Sequence, residues 1–402
     1  MAPVRTTRRD LLKTTGLAAA AALVPAAAAR PAETVKVGIL HSLTGILAIS
    51  EMALKDAELL AIEEINAAGG VLGKKIETVV EDPESRFTDV FPDKAKKLLE
   101  KDKVAAVFGC WTSVSRRNVL PVFERNNGLL FYPVAYEGNE TSKHVVYGGA
   151  VPSQQVVPAL DWLLSEAGGS RKKVYLLGSD YVFPYTVHLV ATRYLKAKGL
   201  APVAAKLVPF GHREFADLVA DIKLKAPDVL LNTVWGDSLV NLFNELAVAG
   251  LTADKLPVMS LSITEDELRG LDPAKVKGHF AAWSYFQSVD TAANRQFVKA
   301  RKNKNGEESV TFDQVEAAYT LVHVWARACT KAKSFDTDKV REALKGLEIY
   351  GPSGKVTVDA KNQHLWKPFR VGRIRADRQF DVVYQSKKPL APEPFRYQKE
   401  EK

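Results

Sequence analysis

The chain has 402 residues, 46% of them hydrophobic and 26% charged, which is enough for two hydrophobic cores and argues against a single compact domain. Its formal net charge is +9, of which residues 1–29 carry +3 through four basic residues and one acidic residue. Basic and acidic residues are interspersed along the rest of the chain, which argues against a nucleic-acid-binding protein. The two cysteines, Cys110 and Cys329, exclude a disulfide scaffold. They form either one bridge or, as we expect, two buried hydrophobic positions.

Residues 1–29 have the layout of an export signal. A basic segment precedes an alanine-rich stretch, residues 16–29, which is too short and too weakly apolar to span a bilayer comfortably. The segment TRRDLLK, residues 7–13, resembles a twin-arginine signal, with Leu11 where phenylalanine is usual. We therefore predict export to the periplasm with cleavage near Ala29, and the alternative is a membrane anchor.

From Val35 onward, short apolar segments alternate with amphipathic helical segments. The first series of predicted strands lies at residues 35–40, 75–82, 104–109 and 129–133. Helices are predicted between them, one capped by Ser50 and the others at residues 94–101 and 115–126. This alternation predicts a parallel sheet with right-handed crossovers.

The same alternation then repeats. A second series of strands is predicted at residues 172–180, 202–210, 227–234 and 256–262, with helices at 186–198, 215–223 and 238–249. Two units of similar length predict two lobes. The later region carries long helices at residues 294–301 and 313–331, two short strands at 369–375 and 379–385, and a tail from Pro389.

Polar and aromatic side chains follow most of the predicted strands. Because ligands bind beyond the carboxyl ends of the strands in open parallel sheets, these residues are the candidates for a binding site. Aromatic rings would supply flat walls, and hydroxyl groups would supply hydrogen bonds. The candidates are His41, Ser42 and Thr44; Trp111, Thr112 and Ser113; Tyr132, Pro133, Tyr136 and Glu137; Ser179, Asp180 and Tyr181; Thr233, Trp235 and Asp237; and Ser260 and Ser262.

Each candidate also has a structural interpretation. Thr112 or Ser113 could only cap the following helix, and Asp237 could do the same for its own helix. An isolated tryptophan or tyrosine is more often a core residue, and His41 alone is more often a hydrogen-bonded structural residue. The shared position of these side chains after successive strands favours a ligand site.

Sequence signatures of enzymes are missing. The segment after the first strand lacks the glycine pattern of dinucleotide-binding proteins, and no phosphate-binding loop or nucleophile elbow is present. The seven histidines are isolated and lack the spacing of metal ligands. We therefore expect no catalytic residue, no metal and no cofactor.

Several segments together resemble one known family. The segments VKVGILHSLTG, VFGCWTSVSRR, YPVAYEGNE, GSDYVFP and GHFAAWSYFQSVDT resemble the urea-binding component of bacterial ABC uptake transporters. Short-chain amide-binding proteins and a cytosolic amide sensor are wider relatives of that component. The similarity covers residues 35–394 and implies the type I periplasmic binding protein fold, an α/β fold of two doubly wound Rossmann-like lobes joined by three crossing segments.

The resemblance also implies lobe boundaries and partners. The N-terminal lobe would comprise residues 34–150 with about 284–352, and the C-terminal lobe residues 151–283 with about 353–388, before a tail at 389–402. A small neutral ligand, urea or a short-chain amide, would be captured between the lobes and delivered to the membrane subunits of an ABC transporter. The alternatives are an amide-sensing regulator of the same fold and an amide hydrolase.

The family's motifs imply a particular pocket. It would be formed by Trp111 to Ser113, by the block from Tyr132 to Glu137 with Pro133, Val134 and Tyr136, and by Tyr181, with Thr233 and Asp237 closing it from the second lobe. Glu137 or Asp237 would accept the N–H groups of the amide, and backbone N–H groups at Thr112 and Ser113 would hold its carbonyl oxygen. Ala135 and Trp235 replace a glutamine and an asparagine of the family's pattern, which predicts a more apolar wall.

Overall fold

The structure is a computed structural model that describes residues 33–398. The predicted export signal at residues 1–29 lies outside the described residues, as do residues 399–402. Two α/β units account for most of the described chain, as the alternation of predicted strands and helices indicates.

The first unit is built on a five-stranded parallel sheet in the order β2-β1-β3-β4-β5. Four of its strands were predicted from the sequence, and β5 was not. The strands are β1 Thr34–Leu40, β2 Lys75–Glu81, β3 Val107–Gly109, β4 Leu130–Tyr132 and β5 Val145–Tyr147, and the helices are α1 Ala48–Ala67, α2 Val90–Glu100 and α3 Ser113–Arg125.

The second unit repeats this arrangement. Its parallel strands are β6 Val174–Ser179, β7 Ala204–Val208, β8 Val229–Thr233, β9 Val258–Ser260 and β10 Phe280–Trp283. Its helices are α4 Pro152–Leu164, α5 Val182–Ala197, α6 Ala216–Lys225, α7 Asp237–Val248, α8 Glu265–Arg269 and α9 Pro273–Val276.

The later region returns to the first unit and then to the second. It comprises α10 Ala292–Asn305, α11 Asp313–Ala332, α12 Thr337–Leu344, a small antiparallel sheet of β11 Glu348–Gly351, β12 Gly354–Val358 and β13 Leu365–Trp366, and finally β14 Arg370–Ile374 and β15 Phe380–Gln385. Strands β14 and β15 join the second sheet in antiparallel pairs, giving the order β15-β14-β10-β9-β8-β6-β7. The chain therefore passes between the two units three times.

Residues 353–366 lie with the first core, although the sequence analysis groups them with the second lobe. Val356, Val358 and Leu365 pack in one buried cluster with strand β1 and with Trp325 of α11. The cause is the long α11, which packs against β3 and β4 of the first sheet and against β11 of the small sheet. The sequence of such short strands does not indicate which of the two cores they pack against.

The described part of the predicted tail, residues 389–398, is bound to the body of the protein. Leu390 forms a bridge with Lys367, and the N–H of Glu393 donates to the hydroxyl of Ser153. The N–H of Asn139 donates to the carbonyl of Pro394. These backbone hydrogen bonds explain why a segment rich in proline and charge is ordered here.

Both cysteines are free and buried, which excludes the single bridge and agrees with the expectation of two buried hydrophobic positions. Among residues 33–398, no helix is long and apolar enough to cross a membrane.

Candidate functional site

A cavity of about 440 Å3 lies where the carboxyl ends of the two parallel sheets face each other. Seven of its fifteen lining residues are aromatic. Within the described part of the chain, none of the residues that line it carries a charged side chain. They are Ile46, Leu47, Phe87, Trp111, Thr112, Ser113, Val114, Tyr132, Val134 and Ala135 from the first unit, and Tyr181, Phe183, Phe210, Trp235 and Gly236 from the second.

The junction of β3 and α3 brings three of the predicted residues into the cavity. A Cβ atom at Gly109 would lie 2.3 Å from the carbonyl oxygen of Leu40, so only glycine lets β3 end so close to β1. The chain then turns through Trp111, and Thr112 caps α3 by accepting a hydrogen bond of 2.9 Å from the N–H of Ser115. Thr112 therefore caps the helix and lines the cavity at once.

Ser113 connects the cavity to a buried carboxylate. Its hydroxyl donates to Oε2 of Glu137, which is 1% exposed and does not line the cavity. Oε1 of Glu137 lies 3.3 Å from Nη2 of Arg116 and 2.9 Å from Nη2 of Arg117. The structure thus places Glu137 behind Ser113 and pairs it with two guanidinium groups.

Arg116 is the centre of this buried network and was missed by sequence reasoning. It is fully buried, and its guanidinium lies 4.8 Å from the ring centre of Tyr132 and 4.2 Å from that of Tyr136. Burial alone would lower the pKa of Arg116, but the negative charges of Glu140 and Glu137 help to hold it well above its usual value. Nothing in a Ser-Arg-Arg segment indicates which arginine faces inward.

Tyr132 and Tyr136 have different positions although they lie four residues apart. Tyr132 lines the cavity, and its hydroxyl donates to the carbonyl oxygen of Trp111 at 2.8 Å. Tyr136 lies behind the wall, where its ring stacks on Tyr147 and its hydroxyl is 2.6 Å from Nε2 of His364. Burial raises the pKa of both tyrosines, so both are protonated at neutral pH.

Tyr181 contributes an unpaired hydroxyl from the second unit. This buried oxygen has no hydrogen-bond partner among the described residues. Burial and the charge of Glu137 raise the pKa of Tyr181, while the Val114 N–H and the Ser113 hydroxyl lower it. These two groups therefore lie close to the Tyr181 hydroxyl without satisfying it.

Some of the remaining predicted residues line the cavity, and others stabilise the structure around it. Trp235 lines the cavity and stacks on Phe183, with ring centres 6.0 Å apart. The hydroxyl of Thr233 donates to the carbonyl of Leu177, so Thr233 supports the β8 end. The other residues of the set lie outside the lining: Pro133 is buried, and Asp237 is exposed at the start of α7.

His41 takes the structural role. Its Nε2 lies 2.9 Å from Oε1 of Glu58 and its Nδ1 lies 3.4 Å from Oε2 of Glu51, all three side chains being almost fully buried. Burial alone would lower the pKa of His41, but the two carboxylates raise it to about 9. The Ser42 N–H also donates to Glu51, so this cluster holds the loop that carries Ile46 and Leu47.

Sequence reasoning missed the apolar half of the cavity. Ile46, Leu47, Phe87, Phe183 and Phe210 line it. Phe183 and Phe210 follow strand ends, as the predicted residues do, but they were passed over because they bear no hydrogen-bonding group.

The hydrogen-bonding groups around the cavity divide into acceptors and donors. The hydroxyl hydrogens of Ser113 and Tyr132 are donated to the protein, so these two oxygens can only accept from a ligand. The Tyr181 hydroxyl and the N–H groups of Ser113 and Val114 at the start of α3 are available as donors, whereas the N–H of Ser115 is taken by Thr112. This arrangement can bind a planar group with both N–H and C=O, between aromatic walls. Among residues 33–398, no group of three His, Cys, Asp or Glu side chains could hold a metal ion.

The chain matches a known protein family over most of its length. A family model described as "Periplasmic binding protein domain" matches residues 35–401. Leu/Ile/Val-binding protein homolog 7 of Brucella melitensis biotype 1 is 26% identical over 350 residues, which cover 83% of this chain and 86% of that protein.

Another relative matches only a short part. A limonene hydroxylase of Geobacillus stearothermophilus is 33% identical over 118 residues, so the match spans 29% of this chain and 22% of the hydroxylase.

Among solved structures, a solute-binding protein of an ABC transporter from R. palustris in complex with 4-hydroxybenzoate has a TM-score of 0.79 at 20% identity. The match covers 89% of this chain and 98% of that chain. At this identity the likeness establishes the fold alone.

Proposed function

We propose that this chain, which belongs to the periplasmic binding protein family and has the type I fold of solute-binding proteins of ABC transporters, binds a small ligand. The cavity favours an uncharged amide with a flat apolar substituent as that ligand. The ligand is captured between the two lobes and delivered to the membrane subunits of the transporter. The two sheets with their three connections support the lobe division, with the small sheet of β11 to β13 in the first lobe.

One observation carries this proposal: the cavity combines aromatic walls with hydrogen-bond acceptors and donors in an uncharged lining. The oxygens of Ser113 and Tyr132 accept N–H groups, and the Tyr181 hydroxyl with the start of α3 donates to a carbonyl oxygen. An amide is the simplest planar group that offers both functions.

The size of the cavity argues for an amide larger than urea. Urea has four heavy atoms, so about 6 kcal/mol of binding free energy is its ceiling, which corresponds to a dissociation constant on the order of tens of micromolar. In a space of about 440 Å3, most of the aromatic wall would remain without a contact. An aryl or alkyl substituent would fill it and add apolar burial.

The absence of charge from the described lining argues against a carboxylate ligand. A buried carboxylate without a counter-charge is strongly disfavoured, and the two accepting oxygens would repel it. A solute-binding protein of the same fold from R. palustris is in complex with 4-hydroxybenzoate, which is an aromatic carboxylate. The decisive test for this chain is therefore whether it binds an aromatic amide more tightly than the matching aromatic acid.

The location of the protein distinguishes a carrier from a cytosolic amide sensor of the same fold. We propose that residues 1–29 direct export by the twin-arginine route. Replacing Arg8 and Arg9 together by lysine is then expected to leave uncleaved precursor in the cytoplasm, and a variant that is exported normally would contradict this route. An ammonia-release assay tests the alternative of an amide hydrolase, and we expect no ammonia.

Titration calorimetry of the mature protein tests the ligand class. Benzamide and benzoate have the same skeleton and differ in charge, while acetamide and urea test size, and leucine tests the amino-acid class. We expect benzamide to bind at least about tenfold more tightly than urea or benzoate, with little dependence on salt because the ligand is neutral. Tighter binding of benzoate or leucine would reject the amide.

A further inference from the structure

Glu137 reaches the wall of the cavity through another residue. It lies outside the lining, yet Ser113, which lines the cavity, donates its hydroxyl hydrogen to Oε2 of Glu137. A hydroxyl group has one hydrogen and two lone pairs. Once that hydrogen points at Glu137, the oxygen of Ser113 presents only lone pairs to a ligand.

The carboxylate is held so that this arrangement is maintained. The second oxygen, Oε1, faces Arg116 and Arg117 at 3.3 Å and 2.9 Å. The backbone carbonyl oxygen of Glu137 accepts a hydrogen bond of 2.7 Å from the side-chain amide of Gln398, which holds the main chain at this residue. A carboxylate paired with guanidinium groups only accepts hydrogen bonds, so the Ser113 hydroxyl stays directed at Oε2.

We infer that Glu137 is a positioning residue that makes Ser113 an obligatory acceptor and thereby selects ligands that present an N–H group over those that present a carboxylate. The inference rests on the proposed function. It differs from the role implied by the family resemblance, in which Glu137 itself would accept the N–H groups of the ligand.

The ratio of the dissociation constant for benzoate to that for benzamide is the quantity to measure. In Glu137→Gln, the side-chain amide can donate to Ser113, which frees the Ser113 hydroxyl to donate into the cavity. The ratio is expected to fall about tenfold, the effect of about one hydrogen bond. Glu137→Asp keeps the charge but withdraws the acceptor from Ser113, so it is expected to lower the ratio in the same direction.

A second explanation must be separated from this one. Loss of the Glu137 charge leaves Arg116 and Arg117 uncompensated, and their field would also favour an anion. Each substitution is therefore repeated in a Ser113→Ala background, as a double-mutant cycle at low and high salt. If Glu137 acts through Ser113, neither substitution changes the ratio once the hydroxyl is absent.

The outcomes are distinct. A ratio that falls in Glu137→Gln and Glu137→Asp, but only when Ser113 is present, supports the inference. The effect belongs to the charge of the arginines if the ratio falls in Glu137→Gln also in the Ser113→Ala background, if that fall shrinks in high salt, and if Glu137→Asp leaves the ratio unchanged. That result overturns the inference. If Glu137→Gln does not give a cooperative thermal transition, Glu137→Asp in the two backgrounds decides alone. Wild-type protein that prefers benzoate overturns the proposed function together with this inference, whereas wild-type that prefers benzamide with unresponsive variants overturns the inference only.

Discussion

Removal of the Tyr181 hydroxyl is expected to change stability and affinity in opposite directions. The oxygen is buried and has no hydrogen-bond partner among the described residues. Such a group costs about 1–3 kcal/mol of folding free energy. The Val114 N–H and the Ser113 hydroxyl lie close enough to lower the pKa of Tyr181, so part of that cost is compensated. In Tyr181→Phe we therefore expect the free energy of unfolding of the ligand-free protein to rise by about 1 kcal/mol.

The same substitution removes a donor from the ligand. A net hydrogen bond contributes about 0.5–1.5 kcal/mol, so the dissociation constant for benzamide is expected to increase about two- to twelvefold. Guanidinium chloride is the suitable denaturant, because urea is itself an amide ligand candidate. Calorimetric titration gives the affinity of the same preparation.

Tyr175→Phe is the matched control. Tyr175 lies on β6 away from the cavity, and its hydroxyl donates to Asp221 at 2.8 Å. Its loss should lower the free energy of unfolding by about 1 kcal/mol and leave the affinity unchanged. A Tyr181→Phe protein that loses stability and keeps its affinity would show that the hydroxyl bonds within the protein, which refutes the reasoning.

Three further predictions concern other groups. Burial raises the pKa of Glu265 to about 8, above an unfolded value near 4.5, so the folded state binds the proton more tightly. The stability that this proton contributes is complete below about pH 4.5 and is lost as pH rises through about 8, with a slope of up to about 1.4 kcal/mol per pH unit. Unfolding of Glu265→Gln at pH 5, 6.5 and 8 should lack this component, and profiles parallel to wild type would contradict the prediction. Burial raises the thiol pKa of Cys110 and raises that of Cys329 to about 12, so neither should react with a thiol reagent until the protein is denatured; a thiol that titrates in the native state would be inconsistent with the structure. Ligand should change the tryptophan emission, and replacing Trp111 and Trp235 together by phenylalanine should remove most of that change because both indoles line the cavity; an undiminished change would place the responsive indole elsewhere.

The amino-acid sequence alone determined the class of fold and pointed to the sheet edge at which the cavity lies. Alternation of apolar strands with amphipathic helices is a local property, and parallel strands bring their carboxyl ends to one edge. Trp111, Thr112 and Ser113 were located in the same way, because a strand end followed by a capping residue can be recognised from adjacent residues. Trp235 and Tyr181 follow the same rule in the second unit, and the structure brings them to the same cavity.

Only the tertiary structure decided which way the remaining side chains face. Glu137 turns away from the cavity because Arg116 and Arg117 supply charge behind the wall, and these residues are twenty positions or more earlier in the chain. The Tyr136 ring stacks behind the same wall on Tyr147, which lies on the next strand. The orientation of a polar side chain depends on the partners that distant segments offer it, since an unpaired buried charge costs far more than a rotamer change. Local pattern therefore specifies the position of a residue along an element, and long-range pairing specifies the face that it presents.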